Sequence, residues 1–248
     1  MGLIVATGHF ERPDVKRIAK KVEGELQKHG ANCKAVDIKG KKFNGKNVEL
    51  VVVVGGDGSL LRVVRELQGE RPVVGIAAGE QSALMQIKLN QLERKLGRIA
   101  RRKFRIQKRL RLQAVADGKK LPPALNEVML VNKKSGAIIS YCLQINGREA
   151  YRCKADGCII ATPTGSTGHS YSAGGKRLEL GSKKMAIVPS NPLNRAVKPL
   201  YKSRGCRVVL TGFDAKQNYE AVVDGQPRFP VRKRLLVKRG KDALFLKI

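Results

Sequence analysis

The stretch Val51-Val52-Val53-Val54-Gly55-Gly56-Asp57-Gly58-Ser59 constrains this chain more than any other. Four β-branched residues in a row, with no polar alternation, read as a strand buried on both faces. That is the situation of a strand inside a parallel sheet. Gly-Gly-Asp-Gly then turns the chain sharply, and Leu60 to Leu67 continue as a helix. A glycine turn at a helix start brings backbone N–H groups to phosphate oxygens with no Cβ in the way. Asp57 puts one carboxylate in that turn, able to accept a proton from a substrate hydroxyl or to hold Mg2+.

The flanking sequence repeats the alternation. Leu3 to Ala6 is strand-like, and Pro13 opens a helix at its favoured first-turn position. Val15, Ile18, Ala19, Val22 and Leu26 form a helical stripe that Gly30 closes. Cys33 to Ile38 and Pro72 to Ala77 are further strands, and Leu89 to Arg101 is another helix. Strands alternating with helices predict an α/β domain on a parallel, doubly wound sheet, with its ligand beyond the carboxyl ends of the strands. From about residue 104 the pattern changes to short β-branched runs separated by turns. Asn146-Gly147 between two of them is a hairpin signal. This half is expected to be β-rich and sandwich-like. The expected divisions are 1–103, 104–230 and terminal strands in 231–248 that return to the first domain.

Charge narrows the partners. Lys and Arg number 50 against 20 Asp and Glu, a net charge of +30 over 248 residues. Such a surplus favours polyanions. Nucleotide phosphates fit better than nucleic acid, because aromatic residues are only 4% with no Trp, too few for a base-stacking platform. The densest basic run, Arg98 to Arg111, is interrupted by Ile99, Phe104, Ile106 and Leu110, so it reads as folded structure and not as a basic arm. Five scattered cysteines with no C-x-x-C pair fit reduced thiols in the cytoplasm. No His or Cys spacing fits a zinc site, and no apolar run reaches the length of a membrane span.

A second segment carries more specific information. Asp156-Gly157 precedes Cys158-Ile159-Ile160-Ala161, then Thr162-Pro163-Thr164-Gly165-Ser166-Thr167, then Ser172-Ala173-Gly174-Gly175. Asn126-Glu127 lies upstream and Asp224-Gly225-Gln226 downstream. With Gly55-Gly56-Asp57-Gly58, these five motifs in this order resemble the NAD kinase family, from about Leu50 to Gln226. The resemblance implies a kinase that moves a phosphoryl group from ATP or polyphosphate to the adenosine 2′-hydroxyl of NAD, making NADP. It implies Mg2+ or another divalent cation as cofactor, a cytoplasmic homodimer or homotetramer, and an active site between an α/β domain and a β-rich dinucleotide-binding domain. Asp57 matches the carboxylate that engages the acceptor hydroxyl. Gly55, Gly56, Gly58 and Ser59 match phosphate-binding positions. Asn126 and Glu127 match the pair that holds adenosine, Thr164, Thr167 and Ser172 line the dinucleotide pocket, and Asp156 lies nearer the nicotinamide ribose. The competing readings are a Gly-Gly-Asp-Gly kinase for another substrate, and a nucleic-acid-binding or regulatory protein on a degenerate kinase fold.

The chain also departs from the family pattern. Ala77 stands where Asn is usual, Ala83 where a Phe packs beside the nucleotide, His169 where Tyr is usual, Gly168 where Ala is usual, and Lys176 where Pro follows the Gly pair. These changes spare the phosphate-facing glycines and bear on substrate preference.

Overall fold

The computed structural model describes residues 2–7, 11–38, 48–67, 71–79 and 82–248, so Glu80 and Gln81 of the divergent 75–84 segment lie outside the described residues. The chain forms two units, Met1–Lys108 with Ala243–Ile248, and Arg109–Asp242.

The first unit holds β1 (Gly2–Thr7), α1 (Pro13–Lys28), β2 (Asn32–Asp37), β3 (Leu50–Gly55), α2 (Asp57–Glu66), β4 (Pro72–Ala77), α3 (Leu92–Ala100), β5 (Arg105–Arg109) and the last strand of the chain, Ala243–Lys247. They build one sheet in the order β2-β1-β3-β4-last strand-β5. β1 pairs with β2 and β3, β3 with β4, and β4 with the last strand, all in parallel. All six residues of β3 are buried, as its unbroken apolar run demands. Val52, Val54, Val74 and Ile76 pack with Val15, Ala19, Val22 and Leu26 of α1 and with Leu92, Leu96 and Ile99 of α3. Side chains alternate along a strand, so Val51 and Val53 point to the opposite face. The chain reverses its direction of travel across the sheet between β1 and β3. In open α/β sheets the ligand crevice opens at the carboxyl ends of such strands, and Gly55 sits at that end of β3.

The second unit is all β apart from short helical turns. Its strands are β6 (Leu112–Ala116), β7 (Lys119–Lys120), β8 (Glu127–Asn132), β9 (Ile139–Ile145), β10 (Arg148–Ala155), β11 (Gly157–Ala161), β12 (Lys184–Ser190), β13 (Leu200–Ser203), β14 (Val208–Thr211), β15 (Tyr219–Val223), β16 (Arg228–Val231) and β17 (Leu235–Arg239). They form two sheets, β10-β9-β14-β17-β6-β7 and β13-β12-β11-β8-β15-β16. Leu112, Ala114, Leu143, Leu210 and Val237 of the first share one core with Val128, Leu130, Ile160, Ile187 and Ala221 of the second, which makes the unit a sandwich. Asn146 and Gly147 join β9 to β10 with φ of 51° and 84°, the left-handed pair that a two-residue hairpin requires. All five cysteines are free and buried. Burial pushes the Cys158 thiol up to about 12, so it packs as an apolar group. Among the described residues, no helix is long and apolar enough to cross a membrane.

Candidate active site

In the first unit the glycine turn follows from where β3 ends. Gly55 has φ 152°, and a Cβ there would meet Ser59 Oγ at 2.7 Å, so strand and helix approach more closely than an alanine allows. Gly56 is the extended residue before α2, and no atom lies within 4 Å of where its Cβ would be. Asp57, Gly58 and Ser59 are the first residues of α2, where backbone amides lack intrahelical acceptors. A cavity of about 240 Å3 opens here, lined by Gly55, Gly56, Gly58, Ser59, Ser82 and Arg12. Ser59 is 4% exposed, and its buried Oγ has no hydrogen-bond partner among the described residues. Arg12 bonds Asp14 at 2.6 Å and holds that carboxyl below its usual range, while both side chains stay solvated.

Asp57 is held by a segment that lies 25 residues on. Ser82 Oγ donates to Asp57 Oδ1 at 2.5 Å, Leu84 N donates to the same oxygen at 3.0 Å, and Ala83 N donates to Oδ2 at 3.0 Å. A carboxylate offers about four acceptor directions. Three are used here, and the remaining one is on Oδ2. Ala83 itself is exposed and Leu84 is buried, so the divergent segment meets Asp57 through backbone and a serine, with no aromatic wall.

The second unit gathers another set by strand register. β11 pairs with β8 so that Ala161 lies opposite Glu127, and β15 pairs with β8 so that Val223 lies opposite Val128. The residues just past those pairs, Thr162 and Asp224, therefore flank Asn126 and Glu127 on either side. Thr162 Oγ1 donates to the Leu125 carbonyl at 2.6 Å and accepts from Gly165 N at 3.1 Å. Thr162 N donates to the Asn126 carbonyl at 2.8 Å. A Cβ on Gly165 would lie within contact distance of the same Asn126 carbonyl oxygen, at 2.2 Å, so only glycine fits. Asn126 Oδ1 is buried with no donor. On the other side, Asp224 adopts φ 48° and accepts from Leu125 N at 3.0 Å, Asn126 N at 2.7 Å and Glu127 N at 3.3 Å.

Thr164 is buried beside Gly165, and Thr167 Oγ1 reaches back to the Thr164 carbonyl at 3.4 Å. Ser172 is exposed at the end of α4 (His169–Ser172). Asp156 stands apart from these. It precedes β11 at the end opposite Thr162, about 20 Å away along the strand, and accepts from Asn191 Nδ2 at 2.8 Å.

One group beyond the sequence-derived set, Arg111, shapes this region beside Glu127. Arg111 is 1% exposed and donates from Nε to the Lys241 carbonyl at 2.8 Å. Burial pulls its guanidinium below the ordinary value, and Asp224 and Asp242 oppose that shift. Glu127 is 5% exposed, and burial, reinforced by Asp224, pushes its carboxyl up to about 7. Because the folded state holds this proton more tightly than the unfolded chain does, stability is lost as pH rises from about 4.5 through about 7. Glu127→Gln removes the ionisation. The variant is expected to match wild type in urea unfolding at pH 5 and to exceed it at pH 8 by up to roughly 3 kcal/mol. Parallel stability profiles across that range would show that Glu127 ionises freely in the folded protein.

The chain is similar to known proteins over most of its length. Residues 10–104 match the model of the ATP-NAD kinase N-terminal domain, and residues 125–242 match that of the ATP-NAD kinase C-terminal domain. An NAD kinase of Methanopyrus kandleri is 36% identical over 186 residues, covering 75% of this chain and 67% of that protein. An NAD kinase of Methanoculleus marisnigri is 30% identical over 253 residues, covering 98% and 93%. Among solved structures, an NAD kinase from Archaeoglobus fulgidus in complex with ATP superposes with a TM-score of 0.86 at 25% identity, covering 100% of this chain and 94% of that one. A yeast NADH kinase complexed with NADH shares the fold, with a TM-score of 0.83 at 17% identity.

Proposed function

The chain belongs to the NAD kinase family, and on that premise we propose that Asp57 receives the acceptor hydroxyl while the glycine turn holds phosphates. The protein is an enzyme that phosphorylates NAD with ATP as donor. The observation that carries the assignment of Asp57 is its carboxylate, oriented by three donors from residues 82–84 with one acceptor direction left on Oδ2. A 2′-hydroxyl donating into that direction has its lone pair free for attack on phosphorus.

Phosphoryl transfer asks little covalent chemistry of a protein; it asks for positioning and for neutralisation of spreading charge. Gly55, Gly56 and Gly58 keep the cavity clear, the first amides of α2 face an anion with the favourable end of the helix dipole, and Ser59 Oγ adds a buried hydroxyl. Arg12 supplies the cation on the cavity wall. Asn126 offers its unpartnered Oδ1 to the amino group of adenine. Thr164, Thr167 and Ser172 border the dinucleotide, and Asp156, remote along β11, contacts its far end near the nicotinamide ribose.

Among the described residues, no group of three His, Cys, Asp or Glu side chains stands ready to hold a metal ion. Mg2+ is commonly bound by one or two carboxylates together with substrate phosphates. The residues present therefore fit a divalent cation that arrives with ATP as part of the substrate, where it neutralises phosphate charge.

The test is NADP formation by the purified full chain supplied with NAD, ATP and Mg2+, followed through an NADP-specific dehydrogenase. NADP is expected to accumulate in proportion to enzyme. Hydrolysis of ATP with no NADP formed would overturn the assignment.

A further inference from the structure

A second cavity in the first unit shares no lining residue with the glycine turn. It measures about 500 Å3, within the range of small-molecule sites, and is lined by Arg98, Arg102, Lys103, Arg105 and Lys247 over a half-buried Phe104. Ile248 completes the lining, and its main-chain oxygen accepts from Lys95 Nζ at 2.7 Å; no Asp or Glu side chain is among the described lining residues. Four of these cations lie in the basic run 98–111, spread over α3, the turn after it and β5, and the fold brings Lys247 of the last strand beside them.

Their pairing is thin. Arg102 bonds Glu49 at 2.9 Å, with both side chains more than half exposed, a pair of small energetic value. The side chains of Arg98, Lys103, Arg105 and Lys247 make no hydrogen bond or ion pair among the described residues. Cations at the carboxyl end of α3 do complement its dipole. That accounts for Arg98 and its neighbours, but Arg105 and Lys247 lie on strands. Like charges gathered in one concavity repel one another, and a bound anion removes that penalty.

We infer that this cavity is a binding site for a compact polyanion of contiguous phosphates, distinct from the catalytic phosphate site. Five cations in one small cavity match the charge density of a phosphate chain better than that of a single phosphate. The small extent of the site, five cations around one phenyl ring, suits a short chain and not the long backbone of a nucleic-acid duplex. Inorganic polyphosphate and the triphosphate end of a nucleotide share this chemistry.

The experiment is calorimetric titration of the full chain with tripolyphosphate at a constant 150 mM ionic strength. Wild type is compared with the triple variant Arg98→Gln, Arg105→Gln, Lys247→Gln. All three side chains are exposed, and equal melting temperatures in buffer check the fold. Wild type is expected to bind one more tripolyphosphate per chain than the variant, or to bind it at least tenfold more tightly. NADP formation is expected to be the same in both, which separates this site from the catalytic one. Repeating the titration with ATP distinguishes the sources: tighter binding than tripolyphosphate identifies a nucleotide tail, and equal or weaker binding identifies a free phosphate chain. Identical stoichiometry and affinity in wild type and variant would overturn the inference. So would a variant that loses affinity for an oligonucleotide but not for tripolyphosphate. Absence of NADP formation in wild type would count against the kinase reading alone.

Discussion

Asp57→Asn is expected to lower the turnover of NADP formation by roughly 10²-fold or more, the scale of a positioned acid–base group, while leaving the protein folded. The wild-type carboxylate accepts three hydrogen bonds from Ser82, Ala83 and Leu84 and keeps one direction on Oδ2. An asparagine amide has one acceptor oxygen and an NH2 group that only donates. If the oxygen serves Ser82 and Leu84, the NH2 meets Ala83 N donor to donor and offers the substrate hydroxyl a donor in place of an acceptor. If the amide is reversed, Ser82 and Leu84 lose their acceptor instead, and the hydroxyl meets a neutral amide oxygen. In neither arrangement is there a group that can take the hydroxyl proton. On the proposed assignment NAD is held mainly by second-unit residues, so the loss should fall on kcat and leave KM within a few-fold. Ser82→Ala serves as the companion variant. It removes one of three orienting bonds and keeps the carboxylate, so a smaller fall in kcat is expected. Wild-type turnover in Asp57→Asn would remove Asp57 from the mechanism. Equal losses in both variants would mean that the position of the 82–84 segment, and not the carboxylate, limits the rate.

The sequence is most informative where one segment settles its own conformation. Four valines dictate a doubly buried strand, Pro13 and Gly30 bracket α1, and Asn146-Gly147 dictates its hairpin. The start of α2 is less legible. The apolar stripe begins at Leu60, but the helix begins at Asp57, because Gly58 is tolerated in a first turn and an acidic residue there is favoured by the dipole. The contact of Ser82 with Asp57 is not visible in sequence, since β4 intervenes and only its parallel pairing with β3 brings the two segments together. Arg111 is a similar case. It closes the densest basic run and looks like surface charge, yet it is fully buried. Only the tertiary fold supplies its partners, Lys241 and the two carboxylates Asp224 and Asp242. Asp224 is recognisable as a motif, but its work on the backbone of residues 125–127 depends on the register of β15 against β8.

That register makes Asp224 the residue whose loss should cost the most stability. Asp224→Ala removes the acceptor for three backbone N–H groups, Leu125, Asn126 and Glu127. It also removes one of the two carboxylates that balance the buried Arg111 guanidinium. Leaving buried backbone N–H groups without an acceptor costs about 1–3 kcal/mol each, and a chain of this size shifts by roughly 2–4 °C per kcal/mol. The melting temperature is therefore expected to fall by about 10 °C. On the proposed role of Asn126, function should fall with it, because Asp224 holds the backbone of residues 125–127. NAD affinity measured by calorimetry below the melting transition is expected to weaken by at least tenfold. Asp224→Asn separates the two contributions: its amide oxygen can still accept from the backbone, but the negative charge is gone. If charge balance with Arg111 dominates, Asn should destabilise nearly as much as Ala. If backbone capping dominates, Asn should recover most of the loss. Both variants remove the like charge beside Glu127, so its carboxyl should move back toward the ordinary range, and the decline in stability between pH 4.5 and about 7 should shrink. An Asp224→Ala protein with wild-type melting temperature and wild-type NAD affinity would mean that Arg111 and the 125–127 backbone are held without it.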